Sequence, residues 1–266
     1  MPLQTIGLSA LGAIGLALAG QVLPATRLAP LTTKYRVDQT LTQEFDASTA
    51  GKGKQTLSFT TSSFLTVTLA DSAGGRTLHV VVDSMRGDSS TPIPASVLDS
   101  ARGAQFHGFV SRAGKPSNLH PVTPTPAATQ VQGLLSDFFP WVKAGFKVGE
   151  SWADTSANST GAGADTVVVR RIVAYRASAN ESRDARKAVR INTDYTSQVA
   201  GTQPTPNGPA RIEGTGTGKG SYLVSPDGQY LGGDWRLQSA LKISGAFTKE
   251  ALPITITQTT KVIALK

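Results

Sequence analysis

The chain has 266 residues, enough for one large domain, with 39% hydrophobic residues, 6% aromatic residues and a net charge of +8. Because it has no cysteine, disulfide staples, thiolate catalysis, cysteine-ligated zinc and lipid attachment through an N-terminal cysteine are excluded. The lean apolar content suits a sheet with one wet face better than a thick two-sided core, and the positive charge by itself names no partner.

The opening "MPLQTIGLSALGAIGLALAGQVLPA" is mostly apolar from Ile6 to Leu23, and Ala17-Leu18-Ala19 offers the small-x-small spacing of a processing site. The expected organisation is a signal peptide over 1–19, a Pro-broken linker over 20–32 and one β-rich domain over 33–266. That places the protein outside the cytoplasm, periplasmic or secreted. No Lys or Arg precedes the apolar run, so a retained N-terminal membrane anchor is the alternative.

From Thr33 the pattern alternates strictly. Tyr35, Val37, Leu41 and Phe45 fall on one face, with Lys34, Arg36, Asp38 and Glu44 on the other, as in a half-buried strand. "TLSFTTSSFLTVTLA" continues the strand pattern with a bulge expected at Ser62-Ser63, and "SAGG" turns the chain into "RTLHVVVDSM". Two helices are expected next. "PIPASVLDSARG" is short and stops at Gly103. The segment from Thr125 to Phe138 is longer, with Thr125 as cap, Pro126 in the first turn and Pro140 ending it. The second half reads as strands again, separated by turn-forming stretches such as "GTQPTPNGP" and "SPDG". No strand–helix–strand rhythm is present, which weighs against a nucleotide-binding α/β fold.

"FVSRAGKPSN" and "LVSPDGQYLG" repeat a Val-Ser-x-x-Gly unit. A nucleophilic serine requires a partnered base and a G-x-S-x-G elbow, which neither copy has. Ser111 and Ser225 are therefore expected to open hairpin turns that Gly114 and Gly228 close. The repeat also raises the possibility of two related halves, 33–122 and 141–266.

"GTGTGKGS" fails as a phosphate loop, because Gly220 follows Lys219 where Ser or Thr is needed. Gly214, Gly216, Gly218 and Gly220 instead share one strand face, which we expect to accommodate the Ala127–Phe138 helix or Trp141. "FFPWVKAGFKVGESW" is the densest aromatic stretch. It reads as a core corner between helix and strand, or as a ligand-contacting lip. Phe138, Phe139, Trp141, Phe146, Trp152, Gly214, Gly216 and Gly218 are the candidate ligand-binding residues. Arg170, Arg171, Arg176, Arg186, Lys187 and Arg190 read as a solvated face, with an anionic membrane surface as the partner they would suit. His79, His107 and His120 are far apart in sequence and lack metal-site spacing, so no metal and no cofactor is expected, with a site assembled from them and Asp83 or Asp137 as the minor alternative. Arg86-Gly87-Asp88 matches an adhesion tripeptide by chance, and Asn158 and Asn180 lie in glycosylation sequons.

The layout resembles a family of bacterial envelope proteins of unknown function, on Tyr35 onward, Val148-Gly149-Glu150-Ser151-Trp152, "SPDGQYLGGDW" and "LPITITQTTKVIAL". The resemblance implies a strongly bent antiparallel sheet, similar in outline to envelope carriers that hold acyl chains in a half-open barrel. It lends no catalytic residues, and this chain departs from the family's many lipoproteins in having no cysteine.

The expected fold is mainly β: a large curved antiparallel sheet, half-barrel or barrel-like, with one substantial helix. The expected function is non-catalytic binding of a lipid or other apolar or amphiphilic envelope ligand, with no nucleic acid partner. The alternatives are a scaffolding envelope protein without a ligand and, third, a hydrolase with an unrecognised site.

Overall fold

A computed structural model describes residues 31–46, 48, 53–117, 119–135, 138–162, 165–183, 186–205, 208–226, 228–245 and 248–265. The expected signal peptide and most of the linker lie outside these residues. Leu31 and Thr32, assigned to the linker from sequence, already pair with Leu69 and Thr68. Among the described residues no helix is long and apolar enough to cross a membrane.

Eleven strands form one antiparallel sheet: β1 (Leu31–Asp46), β2 (Lys54–Ser72), β3 (Gly75–Gly87), β4 (Gln105–Ser111), β5 (His120–Pro121), β6 (Ser151–Ala162), β7 (Asp165–Arg183), β8 (Arg186–Thr205), β9 (Gly208–Val224), β10 (Tyr230–Gly245) and β11 (Thr248–Ala264). Two helices interrupt them, α1 (Ala95–Ser100) and α2 (Pro126–Leu135). The strand order is β5-β4-β3-β2-β1-β11-β10-β9-β8-β7-β6. The chain therefore starts in the middle, meanders to one edge, crosses through α2 to the opposite edge and meanders back to pair β11 with β1.

Laid flat, eleven strands at ~4.8 Å spacing would hold the two edges roughly 48 Å apart. Here Lys115, in the β4–β5 turn, forms an ion pair with Asp154 on edge strand β6. Trp141 Nε1 donates to Ala113 O at 3.0 Å, and Trp141 meets the Tyr175 ring on β7 at 5.9 Å. The sheet is thus rolled until its edges nearly meet, yet β5 and β6 do not pair. It is an open barrel, and its seam is filled by α2 and the segment that follows.

Alternation decides which side faces in. Tyr35, Val37, Leu65, Val67, Leu78, Val80, Ile191 and Val262 are buried on the concave side. Lys34, Arg36, Lys219, Arg236 and Lys261 alternate with them onto the convex side, where they are exposed. Burying a valine or leucine on the inner face contributes about 1.5–3 kcal/mol, and this repeated gain outweighs the weak β-propensity of the many glycines and serines.

Both Val-Ser-x-x-Gly units are hairpin turns. Ser111 N donates to Lys115 O at 2.9 Å, Gly114 N to Ser111 O at 2.8 Å and Lys115 N to Ser111 Oγ at 3.2 Å. Ser225, Gly228 and Gln229 repeat the three bonds at 2.9, 2.9 and 2.9 Å. Gly114 and Gly228 have φ of +81° and +87°, the left-handed position that ends a three-residue hairpin loop. Thr125 Oγ1 accepts from Ala128 N at 3.1 Å as the expected cap of α2.

Three expectations need correction. β1 and β2 stay in register through Ser62-Ser63, and the bulge sits opposite Phe64-Leu65 in β3, where Asp83 is the extra residue. Helix α2 spans Pro126–Leu135, with Phe138 outside it, so the helix expected to be substantial is a short one. The glycine face of β9 is not covered by the helix. A Cβ on Gly218 would meet Leu237 Cδ2 at 2.4 Å, and one on Gly216 would meet Ser197 Oγ at 2.5 Å and Ser239 Oγ at 2.7 Å. Side chains of β8 and β10 lean across the bare strand, because tight curvature leaves no room for a third row.

Candidate functional site

Strand register divides the concavity into levels. At the closed end, Tyr35, Phe138, Phe139, Tyr222 and Tyr230 form an aromatic plug. Tyr35 meets Phe138 edge-on at 5.9 Å and stacks on Tyr230 at 5.5 Å, and Tyr35 OH donates to Tyr230 O at 2.8 Å. Tyr195 and Tyr222 share a hydroxyl–hydroxyl bond. Burial raises the Tyr35 and Tyr222 phenols above their ordinary range, so both stay neutral.

One level further, Gln39, Thr260, Trp235, Gly220 and Thr193 stand side by side. Gln39, Thr193, Trp235 and Thr260 are buried, and Thr193 Oγ1 and Trp235 Nε1 have no hydrogen-bond partner among the described residues. A buried donor left unpaired costs about 1–3 kcal/mol. Beyond this polar belt the inner face is mixed, with the partly buried Leu41, Leu237, Ile256, Leu241, Val199 and Val169 set among Gln43, Gln258, Ser239, Ser197 and Arg171 on the same face. Their outward neighbours, such as Thr257, Thr259, Arg236 and Gln238, are hydrated threonine, charge and amide. This open, amphiphilic half of the concavity is the trough.

A cleft of about 270 Å³ lies in the seam, bounded by Lys115, Leu135, Phe139, Trp141, Arg171 and Tyr195 among others. Arg171 stands on the inner face, one step along β7 from Val169 and 6.0 Å from the Tyr195 ring, so the cleft and the trough adjoin. Lys115, beside Asp154, also approaches the Trp141 ring at 5.5 Å.

Phe138, Phe139 and Phe146 are buried, whereas Trp141 and Trp152 are partly buried against the core. The segment is therefore the expected corner, and Phe139 and Trp141 also line the cleft. Gly214, Gly216 and Gly218 form part of the trough floor. Of the basic residues, Arg171 departs from the expected solvated face. Arg170 and Arg176 are exposed on the convex side, and Arg171 faces inward. Arg190 binds Glu181, with NH2 to Oε2 at 2.8 Å, and Ser221 Oγ at 2.8 Å. Arg186 meets Gln229 Oε1 at 3.4 Å, and Lys187 is exposed.

Tyr175, Tyr195, Arg171 and Lys115 were missed as cleft residues. The alternation of β7 and β8 marked the first three as inward, in phase with Val173 and Thr193. None of the three histidines lines the cleft. Asp88 of the Arg-Gly-Asp tripeptide accepts from Thr60 N at 2.8 Å and from Ser90 N at 3.1 Å, which makes it a turn builder that ends β3.

The Val-Gly-Glu-Ser-Trp stretch is a turn feeding β6. Glu150 N donates to Lys147 O at 3.0 Å, and Gly149 takes the positive φ, +90°, that the third turn position demands. Trp152 then stacks on Tyr175 at 5.5 Å. The Lys143 ammonium, followed by the Lys147 N–H at 3.0 Å, holds the Glu150 carboxyl below its ordinary range. A depressed folded-state value means this stabilisation is present above the ordinary value near 4.5 and is lost as pH falls through the folded-state value. Glu150→Gln should lower Tm slightly at neutral pH and by nothing in acid below that window. A gap between the two melting curves that persists in acid would contradict the assignment.

Comparison with protein-family models, curated proteins and solved structures yields no match to this chain. The function must therefore be argued from the concavity itself.

Proposed function

We propose that the protein is an exported, non-catalytic binder of an elongated apolar or amphiphilic molecule, held in the trough with one end at the seam cleft. The observation that carries this is the group of partly exposed apolar residues Leu41, Leu237, Leu241, Val199 and Ile256 on the concave face, interspersed with Gln258, Ser239 and Ser197. A concave, mostly apolar lining with a few polar groups suits an amphiphilic ligand. Arg171, which lines the seam cleft, supplies a polar contact beside it. Ligand pockets commonly span 300–1,000 Å³, so a cleft of about 270 Å³ takes a head or short tail and leaves the rest of the ligand to the open trough. Export is part of the proposal and rests on the apolar opening segment.

Solvent extraction of the purified protein should release an apolar molecule, and the emptied protein should bind a fluorescent acyl probe. Leu237→Arg, which places a charge in the trough at a partly exposed position, should weaken probe binding at least ~10-fold, since burying an unpaired charge is costly. If nothing is extracted and no probe binds, the scaffold reading takes its place; the tight packing of the plugged end is the observation that favours it.

A further inference from the structure

The chain has three histidines, and strand register brings all three into one row. His79 on β3 lies directly opposite His107 on β4, and His107 lies directly opposite His120 on β5. Leu78, Val80 and Phe106 beside them point into the core, so the row stands on the convex face, away from the trough. His107 and His120 are exposed and His79 is partly buried. The His79 and His107 rings meet edge-on with centroids 4.9 Å apart.

The His79–His107 ring contact does not explain why His120 joins the row. Its members bury little surface, and like residues opposed across strands repel once protonated. From this juxtaposition we infer that the β3–β4–β5 histidine row is a binding site for a transition-metal ion of the imidazole-preferring class, such as zinc or copper, with His107 as the central ligand. Neighbouring strands lie about 4.8 Å apart, so His107 can share an ion with the histidine on either side, and the two outer imidazoles, roughly 9.6 Å apart at the backbone, lean inward over His107 to reach the same ion at about 2.0–2.1 Å.

Among the described residues no group of three ligating side chains already converges on one point. Convergence requires ring rotations at these partly or fully exposed positions, and exposed side chains exchange rotamers within nanoseconds. His79 Nε2 faces Gln105 Oε1 at 3.3 Å. In the tautomer that donates along this bond, Nδ1 carries the free lone pair, which is the usual way a carbonyl oxygen orients a ligating imidazole. With nitrogen donors alone in the row, hard cations such as magnesium and calcium are disfavoured. The site is independent of the trough, because it lies on the other face.

The test is a zinc titration of the untagged full chain, read by calorimetry and by the imidazole resonances of the three histidines. The expected result is saturable binding of one equivalent in the micromolar range, with all three imidazoles perturbed. His107→Ala should weaken it at least ~10-fold, and His79→Ala and His120→Ala should each weaken it less. His107 is exposed, so its variant should keep the parent melting temperature. The inference is overturned if zinc does not saturate the protein below millimolar concentration, or if His107→Ala binds as tightly as the parent chain.

Discussion

Replacing Gly114 with alanine is expected to destabilise the protein by about 3 kcal/mol or more, although the change adds one methyl group. Part of the loss is local: Gly114 has φ of +81°, and a side chain in that conformation costs about 1 kcal/mol. The larger part is contact. An added Cβ would stand 1.6 Å from Val142 O and 2.8 Å from Val142 C, and these are backbone atoms that cannot rotate away. The β4–β5 turn would have to separate from the segment after α2. That separation breaks the bonds from Ala144 N at 3.1 Å and Trp141 Nε1 at 3.0 Å to Ala113 O, each contributing about 1 kcal/mol. Gly74 is the control. Its φ of +85° is similar, but nothing lies within 4 Å of its would-be Cβ, so Gly74→Ala should cost only ~1 kcal/mol. Urea denaturation of both variants checks this, and equal losses would show that the hairpin does not lean on the seam.

Phe138→Ala should cost about 3–5 kcal/mol, the range for deleting a buried phenylalanine. Phe138 is 1% exposed and meets Tyr35 and Phe139 edge-on at 5.9 and 5.7 Å. Each such pair adds about 0.5–1.5 kcal/mol beyond the buried area. Phe45, on the same inner face at the open end of the trough, is only partly buried, and Phe45→Ala should cost ~1 kcal/mol or less. The two free energies of unfolding, taken together, separate a packed end from an open one. Comparable values would remove the distinction between plug and trough on which the binding proposal depends.

Several features were readable because they depend on few neighbouring residues. Tyr35 and Val37 share a buried face, as their alternation requires. Thr125 caps α2, and Gly103, at φ +79°, follows α1. Ser111 and Ser225 open equivalent turns because a Ser-x-x-Gly spacing supplies both an acceptor hydroxyl and a left-handed position. The misreadings concern what lies across the sheet. The glycine face of β9 implied a guest, but a single strand does not show that its neighbours' leucines and serines will lean over it. Arg170 and Arg171 looked like one basic patch because they are adjacent in sequence, whereas adjacent residues in a strand point to opposite faces. The three histidines, separated by 28 and 13 positions (79 to 107, 107 to 120), carried no ligand spacing that a local reading could detect.

By itself, the order of residues determined which side chains in each strand face inward and where the chain reverses, because pleating and turn geometry act over two to five residues. Only the tertiary structure decided that β11 closes against β1, that the edges roll together around Phe138 and Trp141, that Arg171 borders a cleft, and that His79, His107 and His120 line up. Those outcomes follow from pairing register between strands up to about 230 residues apart, as Tyr35 is from Ala264. Register there is chosen by how the whole apolar face can be buried at once.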